Sequence, residues 1–92
     1  VLENYAENNN TAIRLIDKRD KSPVAMATVN LSVKLPKDQA YIKDYSENEG
    51  MLVAFQKAGF VKDVIGYRDS GFVTIPLCKL DLDKIKEVCI NV

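Results

Sequence analysis

Apolar residues recur at helical spacing in one central stretch, Ser46 to Phe60, where Met51, Leu52, Phe55 and Ala58 fall at i, i+1, i+4 and i+7. Glu47, Asn48, Gln56 and Lys57 lie off that stripe. Ser46 with Glu49 three residues later has the form of a capping box, and Gly59 suits the left-handed residue that closes a helix. The stretch therefore predicts one main helix.

The chain before it alternates as strands do. Thr11 to Lys18 puts Ile13 and Leu15 on one face and Arg14 and Lys18 on the other. The polar turn Arg19 to Pro23 follows, and Val24 to Lys34 then reads as a single long strand. Its residues Ala25, Ala27, Val29, Leu31 and Val33 face one way, and Thr28, Asn30 and Ser32 the other. The two make a hairpin. The small alanines would let the helix approach opposite Phe55, whose burial would contribute about 1.5–3 kcal/mol. A short third strand is expected at Ala40 to Asp44.

After the helix, Asp63 to Arg68 reads as a fourth strand with a bulge or close backbone approach at Gly66. Asp69-Ser70-Gly71 reads as a turn, and Phe72 to Lys79 as a fifth strand that Pro76 demotes to an edge or marks with a bulge. Asp81 suits the N-cap of a last helix, Leu82 to Val88, with Leu82, Ile85, Val88 and Cys89 on one face. At the other end, Leu2 to Tyr5 is expected as a short edge strand. The asparagine run Asn8 to Asn10 suits sugar or amide recognition as a functional site, and a plain loop on the ordinary turn chemistry of asparagine, which is the reading favoured. The expected architecture is α+β: an antiparallel β-sheet of about five strands in the order β-β-β-α-β-β-α, with one main helix packed on one face. Residues 1–92 form a single domain, with 1–10 a loosely ordered lead-in.

Composition adds constraints. Thirteen basic and thirteen acidic side chains cancel and are interleaved along the chain, so neither a phosphate-neutralising field nor an acidic nucleic-acid mimic is written into it. Cys78 and Cys89 allow at most one disulfide, and two reduced thiols in a reducing cytoplasm are expected. No apolar run approaches the ~20 residues that span a bilayer. No signal peptide is visible, and the opening on Val1 leaves room for residues ahead of it.

The chain has no histidine, which removes the commonest neutral-pH proton carrier and zinc ligand and with it any Ser-His-Asp or Cys-His nucleophile within one chain. The glycines at 50, 59, 66 and 71 are dispersed and form no phosphate loop. Glu47 and Glu49 are the neighbouring carboxylates for acid and base work, yet a helix start explains acidic residues by itself. Cys78 reads as a half-buried structural thiol. No cofactor and no metal is expected. The polar cluster of most interest is Tyr67-Arg68-Asp69-Ser70, because a donor fork and an amphipathic ring at a hairpin are residue types that anchor interfaces. A solvated turn with Arg68 paired to a carboxylate is the competing reading. Tyr41 and Tyr45 either form an exposed aromatic pair or pack one ring face and leave the hydroxyl wet.

Three segments, Thr28-Val29-Asn30-Leu31, Tyr45 to Gly59, and Ser70-Gly71-Phe72-Val73-Thr74-Ile75-Pro76, resemble an uncharacterised domain-of-unknown-function family of small phage and conjugative-element proteins of Firmicutes and Bacteroides. The family's members share the order of a hairpin ending in a Thr-Val-Asn-Leu-like strand, a helix closing on Gly, and a Ser-Gly-aromatic-x-x-x-Pro strand. Here Gly66-Tyr67-Arg68 stands where the family has a Gly-Arg pair. The resemblance implies a cytoplasmic bacterial protein of a mobile element that acts by binding, and proteins of this size on such elements often antagonise host defence.

The expected function is therefore non-enzymatic binding to a protein partner, with inhibition of a defence system such as a CRISPR nuclease as the specific form. Tyr67, Arg68, Asp69, Tyr41 and Tyr45 are the candidate partner-binding residues. The alternatives are a nucleic-acid module using Tyr67, Arg68, Lys62 and Lys79, which is not favoured, and a homo-oligomer pairing through the edge strand that contains Pro76.

Overall fold

In the computed structural model, which describes residues 1–89, the alternating stretch 24–34 does not run as one strand. It divides at Ala27. Before it, β3 (Pro23–Met26) lies against β2 (Thr11–Ile16), and β2 lies against β1 (Leu2–Asn4), in a three-stranded antiparallel sheet. Beyond it, β4 (Thr28–Val29) joins β5 (Gln39–Ile42), β6 (Val61–Ser70) and β7 (Val73–Leu80) in an antiparallel sheet of order β4-β5-β7-β6. Ala27 serves both sheets: its N–H donates to the Ile13 carbonyl at 2.9 Å, and its carbonyl accepts from Lys43 N–H at 2.8 Å. Its side chain is wholly buried. Alternation cannot register such a pivot, because the period of two continues through it.

The α+β class holds, with two sheets in place of one and two short helices, α1 (Met51–Lys57) and α2 (Leu82–Val88). The predicted capping box does not form. Ser46 to Asn48 make a 3₁₀ turn with Ser46 at φ 56°, and the helix begins only after Gly50, at φ 93°. The Leu52 N–H is taken instead by the Asp44 carboxylate, at 3.0 Å, from eight residues upstream. The other end of α1 behaves as expected. Gly59 is left-handed at φ 80°, its N–H reaches the Gln56 carbonyl, and Phe60 N–H reaches the Phe55 carbonyl at 2.9 Å, the paired bonds of a Schellman motif. The Phe60 ring then meets Phe55 edge-on, with centroids 5.4 Å apart. Asp81 caps α2 through Lys84 N–H at 3.0 Å.

Both faces of the four-stranded sheet are covered. Ala40, Ile42, Cys78 and Leu80 point to a cluster completed by Ile13, Ala27, Phe55 and Ile85, so the smaller sheet and both helices share this core. Tyr41 and Ile75 point the other way, where Leu31, Val33 and Leu35 of the connection 30–38 close over them. That connection has no strand of its own, and Ser32 within it is left-handed at φ 58°.

The asparagine run holds it in place. Asn10 Nδ2 donates to the Val33 carbonyl at 2.6 Å, its Oδ1 accepts from Leu35 N–H at 2.9 Å, and Asn8 Nδ2 donates to Asn30 Oδ1 at 3.0 Å. These amides are spent inside the protein. At the start of the chain, β1 pairs with β2 as the short edge strand expected there.

The edge position predicted for the Pro76 strand is not observed, because β7 lies between β5 and β6. The proline is accommodated by where the β5–β7 pairing ends. Pairing of β5 with β7 ends at Tyr41 and Leu77, so at Pro76 the strand has β6 alone beside it. A bulge does occur nearby, on β6, between Val64 and Gly66.

Candidate functional site at the β6–β7 hairpin

Strand β6 is ten residues long, whereas β5 pairs with only three residues of β7, so the outer half of the β6–β7 hairpin has no third strand. Ser70 pairs with Val73, leaving Gly71-Phe72 as a two-residue turn. Gly71 has φ 61°, the first-position requirement of a II′ hairpin. Phe72 takes the second position and is more exposed than in an extended chain, at 109 %. The Asp69 carboxylate accepts from Thr74 Oγ1 at 2.8 Å across the pair and stiffens the end.

The predicted turn cluster is thus the end of a strand, and its members separate. Tyr67 and Asp69 stand opposite Pro76 and Thr74 on one face, while Arg68 and Ser70 stand opposite Ile75 and Val73 on the other. Tyr67 is 67 % exposed. Among the described residues Arg68 has no ion-pair partner. Tyr67 and Arg68 cannot form one binding fork on a flat surface, but they flank the Phe72 tip from its two sides.

Tyr41 and Tyr45 lie elsewhere. Tyr41 is 7 % exposed and belongs to the second core cluster, so it is no surface ring. Tyr45 packs partly against the same cluster, with the Lys43 ammonium 5.6 Å from its ring centre. Phe72, expected inside the fifth strand, is instead an exposed aromatic residue at the turn. The Gly-aromatic pair between two apolar runs carried the signal, since Gly-X is the II′ turn pattern.

The other candidate chemistries are occupied. Glu47 pairs with Lys43, whose hydrogen bond holds the carboxyl below its usual range and the ammonium above its own. Glu49 is exposed on the adjoining turn. Cys78 and Cys89 are both free thiols. Cys78 is fully buried, and burial, helped by Asp44 and Asp63, pushes its thiol from 9.0 up to about 11. The fold favours the neutral thiol, so its contribution to stability is complete below pH 9.0 and is lost as pH rises toward about 11. Iodoacetamide at neutral pH should therefore alkylate Cys89 while leaving Cys78 unmodified until urea is added. Mass spectrometry of the two peptides checks this, and equal labelling in the folded protein would contradict it.

An apolar cleft of about 180 Å³ lies between β2, α1 and α2, lined by Ile13, Leu15, Phe55, Phe60, Ile85 and Cys89 among others. Arg14 and Lys18 also line it, and among the described residues no carboxylate does. Among the described residues no group of three or more histidine, cysteine, aspartate or glutamate side chains is placed to hold a metal ion. No helix of the described residues is long and apolar enough to cross a membrane.

These features define a small two-sheet α+β protein whose outstanding surface element is a projecting hairpin with an aromatic tip. The chain belongs to the family described as a domain of unknown function, DUF4313, whose model matches residues 1–92. No curated protein and no solved structure matches it.

Proposed function

We propose that this chain is a non-enzymatic binding protein of a phage or mobile genetic element, working in the bacterial cytoplasm on a host protein of a defence system such as a CRISPR nuclease. The binding role rests on Phe72, a large apolar side chain held wholly in solvent at the tip of a hydrogen-bonded hairpin. Leaving such a ring in water forgoes about 1.5–3 kcal/mol that burial in a partner would recover. Tyr67, Arg68 and Asp69 beside it are of the types that surround such an anchor. The mobile-element setting is supported by the likeness of the segments around Thr28-Val29-Asn30-Leu31, Tyr45 to Gly59 and Ser70 to Pro76 to that family of phage and conjugative-element proteins. The non-enzymatic reading is supported by the absence of histidine and by the paired state of Glu47 and burial of Cys78.

Phe72→Ser provides the test. The variant should melt with the wild type, because the ring touches no core cluster. In a host carrying an active CRISPR nuclease, expression of the wild type should raise plating of a targeted phage, and the variant should not. A partner captured from that host and identified by mass spectrometry should be lost with the same substitution. Equal capture and equal plating by both proteins would remove the hairpin tip from the reading, and turnover by the purified protein alone would remove its non-enzymatic basis.

A further inference from the structure

Strand β6 is an outer strand of its sheet, and its side away from β7 is open. Among the described residues no backbone hydrogen bond joins 62–70 to anything but β7. Lys62, Asp63, Ile65 and Tyr67 to Ser70 are all exposed, Ile65 at 44 %. A strand with this much unpaired backbone is a template for another strand unless its side chains forbid it.

Here the charges forbid some pairings and favour one. We propose that two copies of this chain join β6 to β6 in antiparallel fashion about a two-fold axis through Gly66, merging two four-stranded sheets into one of eight. With Ile65 the extra residue of the bulge, that register sets Asp63 opposite Arg68 and Val64 opposite Tyr67, each contact occurring twice. The faces agree with it. Opposite β7, Asp63 and Arg68 lie on the side of Lys79 and Ile75, while Val64 and Tyr67 lie on the side of Cys78 and Pro76. A slip of one residue would turn every side chain to the other face, and the next registers that keep the faces set either Asp63 or Arg68 opposite Gly66, so neither retains the ion pair. Opposite charges directly across a pair stabilise it, so the two Asp63–Arg68 pairs favour this register over its neighbours.

Charged residues and bulges on an edge commonly serve to prevent association, and β6 carries irregularities between Val61 and Asp63 and between Val64 and Gly66. A blocking edge, however, gains nothing from alternating its signs so that the strand complements itself. The pairing also frees Arg68 from needing a partner within its own chain, and leaves the Phe72 tips at opposite ends of the joined sheet. It does not depend on the proposed host partner.

Analytical ultracentrifugation from micromolar to millimolar protein tests this. The wild type should dimerise reversibly. Asp63→Arg opposes two arginines and should weaken the dimer about tenfold or more. The double reversal Asp63→Arg with Arg68→Asp should restore it, because the two signs are merely exchanged. Circular dichroism on each variant confirms that these exposed substitutions leave the fold intact. A wild type that stays monomeric throughout, a dimer indifferent to the single reversal, or a double variant no tighter than the single one would each overturn the proposal.

Discussion

Replacing Phe55 with alanine should lower the unfolding free energy by about 3–5 kcal/mol, the largest loss expected from any single truncation in this chain. The ring is 4 % exposed and lies where both helices meet the sheets, in one cluster with Ala27, Ile42, Leu80 and Ile85. It is also the residue whose carbonyl closes the Schellman motif and whose ring receives Phe60 edge-on, so its loss leaves Phe60 without its aromatic partner. Phe55 further forms one wall of the apolar cleft between β2, α1 and α2. Truncation opens that cleft inward, and relaxation or water entry there favours the lower half of the range. Urea unfolding should show an earlier midpoint with an unchanged slope, and the melting temperature should fall by about 12–24 °C for about 3 kcal/mol. A double-mutant cycle with Phe60→Ala should return a coupling of about 0.5–1.5 kcal/mol. A loss below about 1 kcal/mol would place the ring outside the core. Because the Phe72 tip lies apart from this cluster, the folded fraction of the variant should retain whatever the hairpin binds.

Where local chemistry decides an element, the amino-acid pattern predicts it. Gly59 ends α1 because only a residue free of Cβ strain takes φ 80° there, and Asp81 begins α2 because its carboxylate can reach an amide three residues on. Gly66 marks a bulge because an interior glycine weakens a ladder already prone to slip. The misses come from partners that lie outside the local pattern. Ser46 and Glu49 have the right spacing for a box, but Asp44 and the left-handed Gly50 supply a competing start five residues later. Val24 to Val33 alternates without a break, yet Ile13 and Lys43 hold Ala27 between two sheets. Pro76 obeys the rule that it cannot serve a two-sided ladder. What alternation does not contain is where the β5–β7 pairing ends, at Tyr41 and Leu77, one residue short of Pro76.

The candidate site was legible in part for the same reason. Tyr67, Arg68 and Asp69 sit on the exposed hairpin as their residue types suggest, but their division between two faces depends on the strand running on to Ser70, two residues past the predicted end. For Tyr41 the pattern leaves open an exposed ring or one packed on a single face, and the residue is buried because the connection 30–38 folds over that side of the sheet. An aromatic residue entering an apolar run reads as core by default, which is how Phe72 escapes notice. Only the two-residue turn puts it in solvent.

The connection 30–38 is where a polar residue should matter almost as much as Phe55. Asn10→Ala should cost about 2–4 kcal/mol, although it removes only a small side chain from a region read from sequence as a loop. Asn10 is 4 % exposed and binds the connection through both ends of its amide, donating to the Val33 carbonyl and accepting from Leu35 N–H. No strand satisfies those two backbone groups, since 30–38 has left the sheet, so the alanine variant leaves both without their partners. Each unsatisfied group costs about 1–3 kcal/mol, and partial access of water to the Val33 carbonyl keeps the sum below the maximum. Asn10→Asp should not restore the loss, because a carboxylate has no donor for Val33. Asn8→Ala should cost less, about 1 kcal/mol, its side chain being tied chiefly to Asn30 and to the Asn10 amide. Hydrogen exchange separates this mechanism from a general loss of stability. The Leu35 amide should lose protection in Asn10→Ala well before amides in the β6–β7 pair, as the cover over Tyr41 and Ile75 opens locally. Uniform loss across the sheet would mean that Asn10 stabilises the fold by some route other than holding this segment down.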